Sequence, residues 1–157
     1  MRDDIQEALK DHGARYVEIR LEQSEGTRLT YRGRELEEIG RSSGIGGNVR
    51  ALAGGGWGFA CFNDISDLKG KVAMAVSHAR HVGGEPVQLA DVEPHVDTVE
   101  PVLLEDPQDV PLHEKKRVFD EYISLMLGVP GVQTCTIGYG DGRRKVGFAN
   151  SEGAYIE

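Results

Sequence analysis

Residues 40–63 read GRSSGIGGNVRALAGGGWGFACFN, eight glycines set among β-type residues just ahead of an alanine-rich stretch of helical period. Glycine destabilises a strand or helix by roughly 0.5–1 kcal/mol relative to alanine, so this density calls for tight turns, positive φ or close backbone approach. Residues 48–53 alternate, with Val49, Ala51 and Ala53 on one face and Arg50 and Leu52 on the other. Trp57, Phe59 and Cys61 line one face of a second strand, and Gly54-Gly55-Gly56 supplies the hairpin turn between the two. Asn63, Asp64 or Ser66 is placed to cap a helix beginning near Ile65. The segment predicts two short strands with glycine corners feeding a helix.

Upstream, Ile5, Ala8 and Leu9 form the apolar stripe of a short helix over 3–11, with Gly13 beyond its end. Val17, Ile19 and Leu21 alternate with polar neighbours as a half-buried strand does. Gly26 marks a turn, 27–31 a further strand, and Arg32-Gly33-Arg34 a tight turn into a strand carrying Leu36 and Ile39. About five strands in a row with short connections predict an antiparallel meander.

Downstream, Ile65, Leu68, Val72, Ala75, Val76 and Ala79 predict a helix over 65–82, ended by Gly83-Gly84. Residues 83–111 hold five of the six prolines and show no helical period, so they predict an extended connection, with 87–92 and 99–104 pairing briefly. Pro111 and His113-Glu114 open a third helix, in which Val118, Tyr122, Leu125 and Met126 share a face and Gly128 supplies the stop. Asp141-Gly142 reads as a hairpin turn between strands at 132–139 and 145–149. The fold class expected is α+β, a mainly antiparallel twisted sheet packed by two to three helices.

A chain of 157 residues suits one domain, 1–157. Its formal net charge of −8, from 26 acidic and 18 basic residues, opposes a polyanion and argues against direct nucleic-acid binding. Cys61 and Cys135 lack C-x-x-C spacing and read as buried free thiols. Met1-Arg2-Asp3-Asp4 begins an acidic amphipathic segment rather than a signal peptide, and no apolar run approaches the roughly 20 residues that span a bilayer. The expectation is a soluble, cytoplasmic protein with no membrane partner.

Several constellations have a chemical reading beside a plainer one. His78 and His81 stand i, i+3 on a helix, where Asp91, Glu93 or His95 would complete a metal shell; histidine near a helix end also simply complements the dipole. His113-Glu114 starts like a zinc-peptidase motif, but Lys115, Lys116, Arg117 and Val118 follow, so neither H-E-x-x-H nor H-E-x-x-x-H is present. Gly44-Ile45-Gly46 has Val49 where a third phosphate-loop glycine belongs. Arg50 sits either on the outer sheet surface or at an interface, with a solvated arginine the plainer reading, and Trp57 reads as core beneath the second helix. The residues therefore assign no catalytic, cofactor-binding or metal position to this chain.

The ordered set R-S-S-G-I-G-G-N-V-R at 41–50, G-W-G-F-A at 56–60 and N-D-I-S-D-L at 63–68 resembles the N-terminal domain of the TldD/PmbA family. The likeness runs from ARYVEIRLE at 14–22 through DPQDVPLHEKK at 106–116 to VGFANSEG at 146–153. Proteins of that family are described as zinc-dependent peptidases and modulators of DNA gyrase. The resemblance implies zinc held by an H-E-x-x-x-H helix and a cysteine in a C-terminal metallopeptidase domain absent from this sequence. It also implies three partners: that C-terminal domain, a homologous subunit in a homo- or heterodimer, and a peptide substrate in the full assembly. The expected role is a non-catalytic domain shaping the peptide cavity and the subunit interface; the alternative is a stand-alone binding or regulatory module without peptidase activity.

Overall fold

The computed structural model describes residues 2–157, and Met1 of the acidic opening segment lies outside the described residues. In chain order the elements are α1 (Arg2–Ala8), β1 (Tyr16–Arg32), β2 (Glu35–Ala53), β3 (Gly56–Phe62), α2 (Leu68–Val82), β4 (Val96–Asp97), α3 (Leu112–Leu127), β5 (Thr136–Asn150) and β6 (Tyr155–Ile156). The sheet runs β3-β2-β1-β5-β6-β4, with β2–β3 and β5–β6 antiparallel and the two-residue β4–β6 pairing parallel. The class is the α+β one expected from the sequence. No helix among the described residues is long and apolar enough to cross a membrane.

The meander consists of three strands, two of them long, rather than about five short ones. In β1 the buried positions after the first residue, Val17, Ile19, Leu21, Thr27, Leu29 and Tyr31, are all odd-numbered, so the period-2 phase passes through Gly26 unbroken and no turn forms there. Within β2, Gly47 permits close approach instead of a corner, since a Cβ there would fall within 3.0 Å of the Arg20 carbonyl oxygen. The expected hairpin at Gly54-Gly55 does form: φ values of 59° and 79° give the two-residue turn that sets Ala53 opposite Gly56. At Asp141-Gly142 the expected hairpin is absent and β5 continues.

The chain folds as two compact units, one of residues 2–23, 44–101 and 145–157, the other of 24–43 and 102–144. In the first, Val17, Ile19, Val49, Ala51 and Ala60 meet Ile5 and Ala8 of α1 and Val72, Ala75 and Ala79 of α2. The predicted α2 stripe is thus the buried one. The helix begins later than expected because Asp67 is its cap, accepting from the Gly70 N–H at 2.9 Å, while Asp64 closes a local turn on Ser66. Trp57 does not lie under α2. Gly56, Gly58 and Ala60 face that helix, which approaches too closely for larger side chains, and Trp57, Phe59 and Cys61 point to the opposite face. Cys61 is accordingly exposed, not a buried thiol, and Cys135 is half-buried. Residues 87–92 and 99–104 do not pair; Val96–Asp97 joins β6 instead.

In the second unit Leu29, Tyr31 and Ile123 form a small core with Leu36, Leu112, Phe119, Leu127, Ile137 and Tyr139 packed around it. The buried face of α3 is Leu112, Lys115, Phe119, Ile123 and Leu127, and the face shared by Val118, Tyr122, Leu125 and Met126 lies outside that core. Two apolar stripes compete on this helix. Phe119 wins contact with the Tyr139 ring at 5.1 Å, and Lys115 finds a buried carboxylate, so a lysine sits on the inner face.

Candidate functional site

Asp141 on β5 and Lys115 on α3 form an ion pair 2.5 Å apart, with side chains only 6% and 4% exposed. The Tyr139 hydroxyl and the Gln108 amide also donate to this carboxylate, and the buried Thr27 hydroxyl lies beside it. Burial pushes the Asp141 carboxyl up, but Lys115, Tyr139 and Thr27 outweigh it and hold the group below its ordinary value. The Tyr139 phenol is pushed up to about 12 by burial and by its bond to Asp141. Asp106 accepts from the Gln108 N–H at 2.8 Å and pairs with Arg143, which ties the turn at Pro107–Asp109 to β5.

This cluster anchors one wall of a shallow cleft of about 200 Å³ lined by Glu25, Gly26, Arg41, Ser42, Ser43 and Gln108. The Arg41 guanidinium donates to the carbonyls of Gln108 at 3.3 Å and Val110 at 3.4 Å. The other wall is an uncovered strand edge: β3 pairs with β2 only from Gly47 to Ala53, so residues 35–43 have no strand on that side among the described residues. Unpaired N–H and C=O groups in a row are what an extended peptide needs in order to add a strand. Ser42 and Ser43 have no imidazole among the lining residues to activate them.

Arg50, expected to be a solvated arginine, belongs to a fixed row on the outer sheet face of the first unit. Its guanidinium lies 2.9 and 3.0 Å from the two oxygens of Glu18 and 4.7 Å from the Trp57 ring centroid. The Tyr16 hydroxyl donates to Glu18 at 2.7 Å, its ring meets Trp57 edge-on at 6.1 Å, and burial followed by the Glu18 bond pushes its pKa up to about 12. Sequence reasoning missed this row, although the outward positions Tyr16, Glu18, Arg50 and Trp57 are each legible by strand alternation. Arg50→Met keeps the side-chain stem and leaves Glu18 with the Tyr16 hydroxyl but without its guanidinium; it should lower the unfolding free energy by about 1–2 kcal/mol. Urea titrations followed by fluorescence of Trp57, the sole tryptophan, check this.

The histidines stand apart from both features. His78 donates from Nδ1 to the Phe59 carbonyl at 2.9 Å, and His81 from Nδ1 to the Ser77 carbonyl at 2.8 Å. His113 lies 3.6 Å from the Glu114 carboxylate. Asp91, Glu93 and His95 are not gathered with them, and no group of three or more His, Cys, Asp or Glu among the described residues is placed to hold a metal ion.

Comparison with known proteins follows the same lines. Residues 17–81 match the family described as PmbA/TldA metallopeptidase domain 1. A protein of Synechocystis sp. named as a metalloprotease is 36% identical over 146 residues, which cover 92% of this chain and 32% of that protein. Another, from Methanothermobacter thermautotrophicus, is 31% identical over 144 residues, covering 90% of this chain and 31% of its own. The chain thus spans about a third of the length of these curated relatives. Among solved structures, a proposed modulator of a DNA gyrase from Thermotoga maritima superposes with a TM-score of 0.80 at 14% identity, over 99% of this chain and 36% of that one. TldE from Thermococcus kodakarensis gives 0.75 at 14%, with the same coverage. These two share the fold. The relatives' names imply a metal in the family, and the described residues of this chain offer no donor set that fits one.

Proposed function

We propose, from the premise that this chain is a relative of the N-terminal domain of the TldD/PmbA family, that it is the non-catalytic part of a zinc metallopeptidase. It shapes one wall of the peptide cavity and carries a subunit contact, while hydrolysis belongs to a C-terminal domain outside this sequence. The observation that carries this reading is the 36% identity across 92% of the chain to a metalloprotease of which it covers only 32%, in a sequence without H-E-x-x-x-H. The open edge at 35–43 supports a backbone-reading role, because strand addition accepts peptides of varied side chains. The net charge of −8 leaves DNA outside the direct partners of this domain. An exposed Cys61 and no disulfide among the described residues suit a reducing, cytoplasmic compartment.

The test compares peptide cleavage by this chain with cleavage by a longer chain that continues into H-E-x-x-x-H. Zinc-dependent cleavage is expected from the longer chain alone, and amide exchange at 35–43 should slow when peptide binds. Cleavage by this chain alone overturns the non-catalytic assignment; exchange unchanged by saturating peptide overturns the strand-addition role.

A further inference from the structure

We infer that the open edge of β2 over residues 35–43 selects cationic peptides, with a lysine or arginine opposite Glu38, another opposite Glu35 and an aliphatic side chain opposite Ile39. The inference rests on the strand-addition reading above and names the class of peptide that the edge takes. β3 leaves this edge uncovered, and no loop among the described residues hydrogen-bonds its backbone to it. An incoming strand would complete the ladder there. Its side chains would stand directly opposite those of β2, where unlike charges attract and like charges repel.

Strand phase sets which side chains the peptide meets. Leu36 packs on the core of its unit, so Glu38 shares its face, while Glu35, Glu37 and Ile39 share the other. Glu37 is taken by Arg32, 2.9 Å away on β1. Glu35 and Glu38 are exposed and form no ion pair among the described residues, and neither does Glu25 on the cleft wall. The cation of the cleft, Arg41, is turned onto the carbonyls of Gln108 and Val110. Arg28 stands on β1, one strand behind the edge, and Arg34 in the turn beyond its end. The charge that meets an incoming strand is therefore negative, in a chain whose net charge of −8 already draws cations and repels anions. Ile39 is 41% exposed, one residue from Glu38 and on the opposite face. From Ile39 back to Glu35 the complementary sequence is aliphatic, basic, polar, aliphatic, basic, with the second aliphatic residue beside Leu36.

The test is fluorescence anisotropy of this chain with two labelled decapeptides, one of two Val-Lys-Thr-Val-Lys repeats and one of two Val-Glu-Thr-Val-Glu repeats. The lysine peptide should bind about tenfold more tightly, and the gap should shrink at high salt. Glu35→Gln with Glu38→Gln should narrow the gap to about threefold or less. Glu85→Gln with Asp91→Asn makes the same change of net charge at exposed positions of the first unit and should leave the gap as it is. Methylating alternate backbone nitrogens of the lysine peptide should abolish binding, because it removes the donors of the new ladder. Equal affinity for the two peptides overturns the inference and leaves strand addition standing. Binding of neither peptide, or binding that survives methylation, overturns both. A gap indifferent to Glu35→Gln with Glu38→Gln, or moved as far by the control pair, overturns the selection by this edge.

Discussion

Replacing Asp141 by alanine should lower the unfolding free energy by about 3–5 kcal/mol, because it strands a buried lysine. Lys115 and Asp141 are each more than nine-tenths buried and 2.5 Å apart, and the carboxylate also accepts from Tyr139 and Gln108. The cost of a lone interior ammonium greatly exceeds the net worth of the pair. Against a total of about 5–15 kcal/mol, that loss brings the second unit close to unfolding at room temperature. Converting both partners, Lys115→Met with Asp141→Leu, should recover most of it, since no charge is then left inside. The pair also sets an acid dependence. The folded carboxyl titrates below its ordinary value, so its contribution is fully present above the unfolded pKa of about 3.9 and is lost as pH falls through the lower folded one. Urea midpoints should therefore fall below about pH 4 in the parent and less steeply in Asp141→Asn. A loss under about 1 kcal/mol in Asp141→Ala would show that Lys115 reaches water and the cluster is not closed.

That pair also marks where reading the sequence stops. Val72, Ala75, Val76 and Ala79 share a stripe that no rival stripe challenges, so α2 and its buried face follow from spacing alone. On α3 two stripes of similar apolarity compete, and the inner one contains a lysine, which argues against it until a carboxylate 26 residues away is known to be waiting. The Asp-Gly turn signal at 141 fails for the same reason, because the aspartate side chain is spent on Lys115 and Tyr139 instead of on a local turn. Gly26 is different: the odd-numbered phase from Val17 to Tyr31 is visible in the sequence and outweighs one glycine. In the candidate cleft no single residue type announces an uncovered edge. It exists because β3 is seven residues long and β2 nineteen, a mismatch that only pairing reveals.

The second large effect lies at Gly58, where valine should destabilise the first unit by about 3 kcal/mol, the upper end of what overpacking costs. A Cβ at this position would fall within 3.0 Å of the Ala75 carbonyl oxygen and the Ala79 amide nitrogen. Both are backbone atoms of α2, which cannot yield without breaking their own helical bonds or lifting the helix from β3. Lifting it would uncover Val72, Ala75, Val76 and Ala79 together, so the cost spreads beyond one side chain. Phe59→Ala, one residue on and pointing the other way from a site 55% exposed, should change stability by no more than about 0.5 kcal/mol. The contrast between adjacent positions isolates the contact from any general sensitivity of the strand. Trp57 lies beside both on the outer face, so its emission reports the two variants alike. If Gly58→Val melts at the parent's temperature, α2 does not sit on β3 at this distance, and the placement of Trp57, Arg50 and Glu18 on the outer face loses its cause.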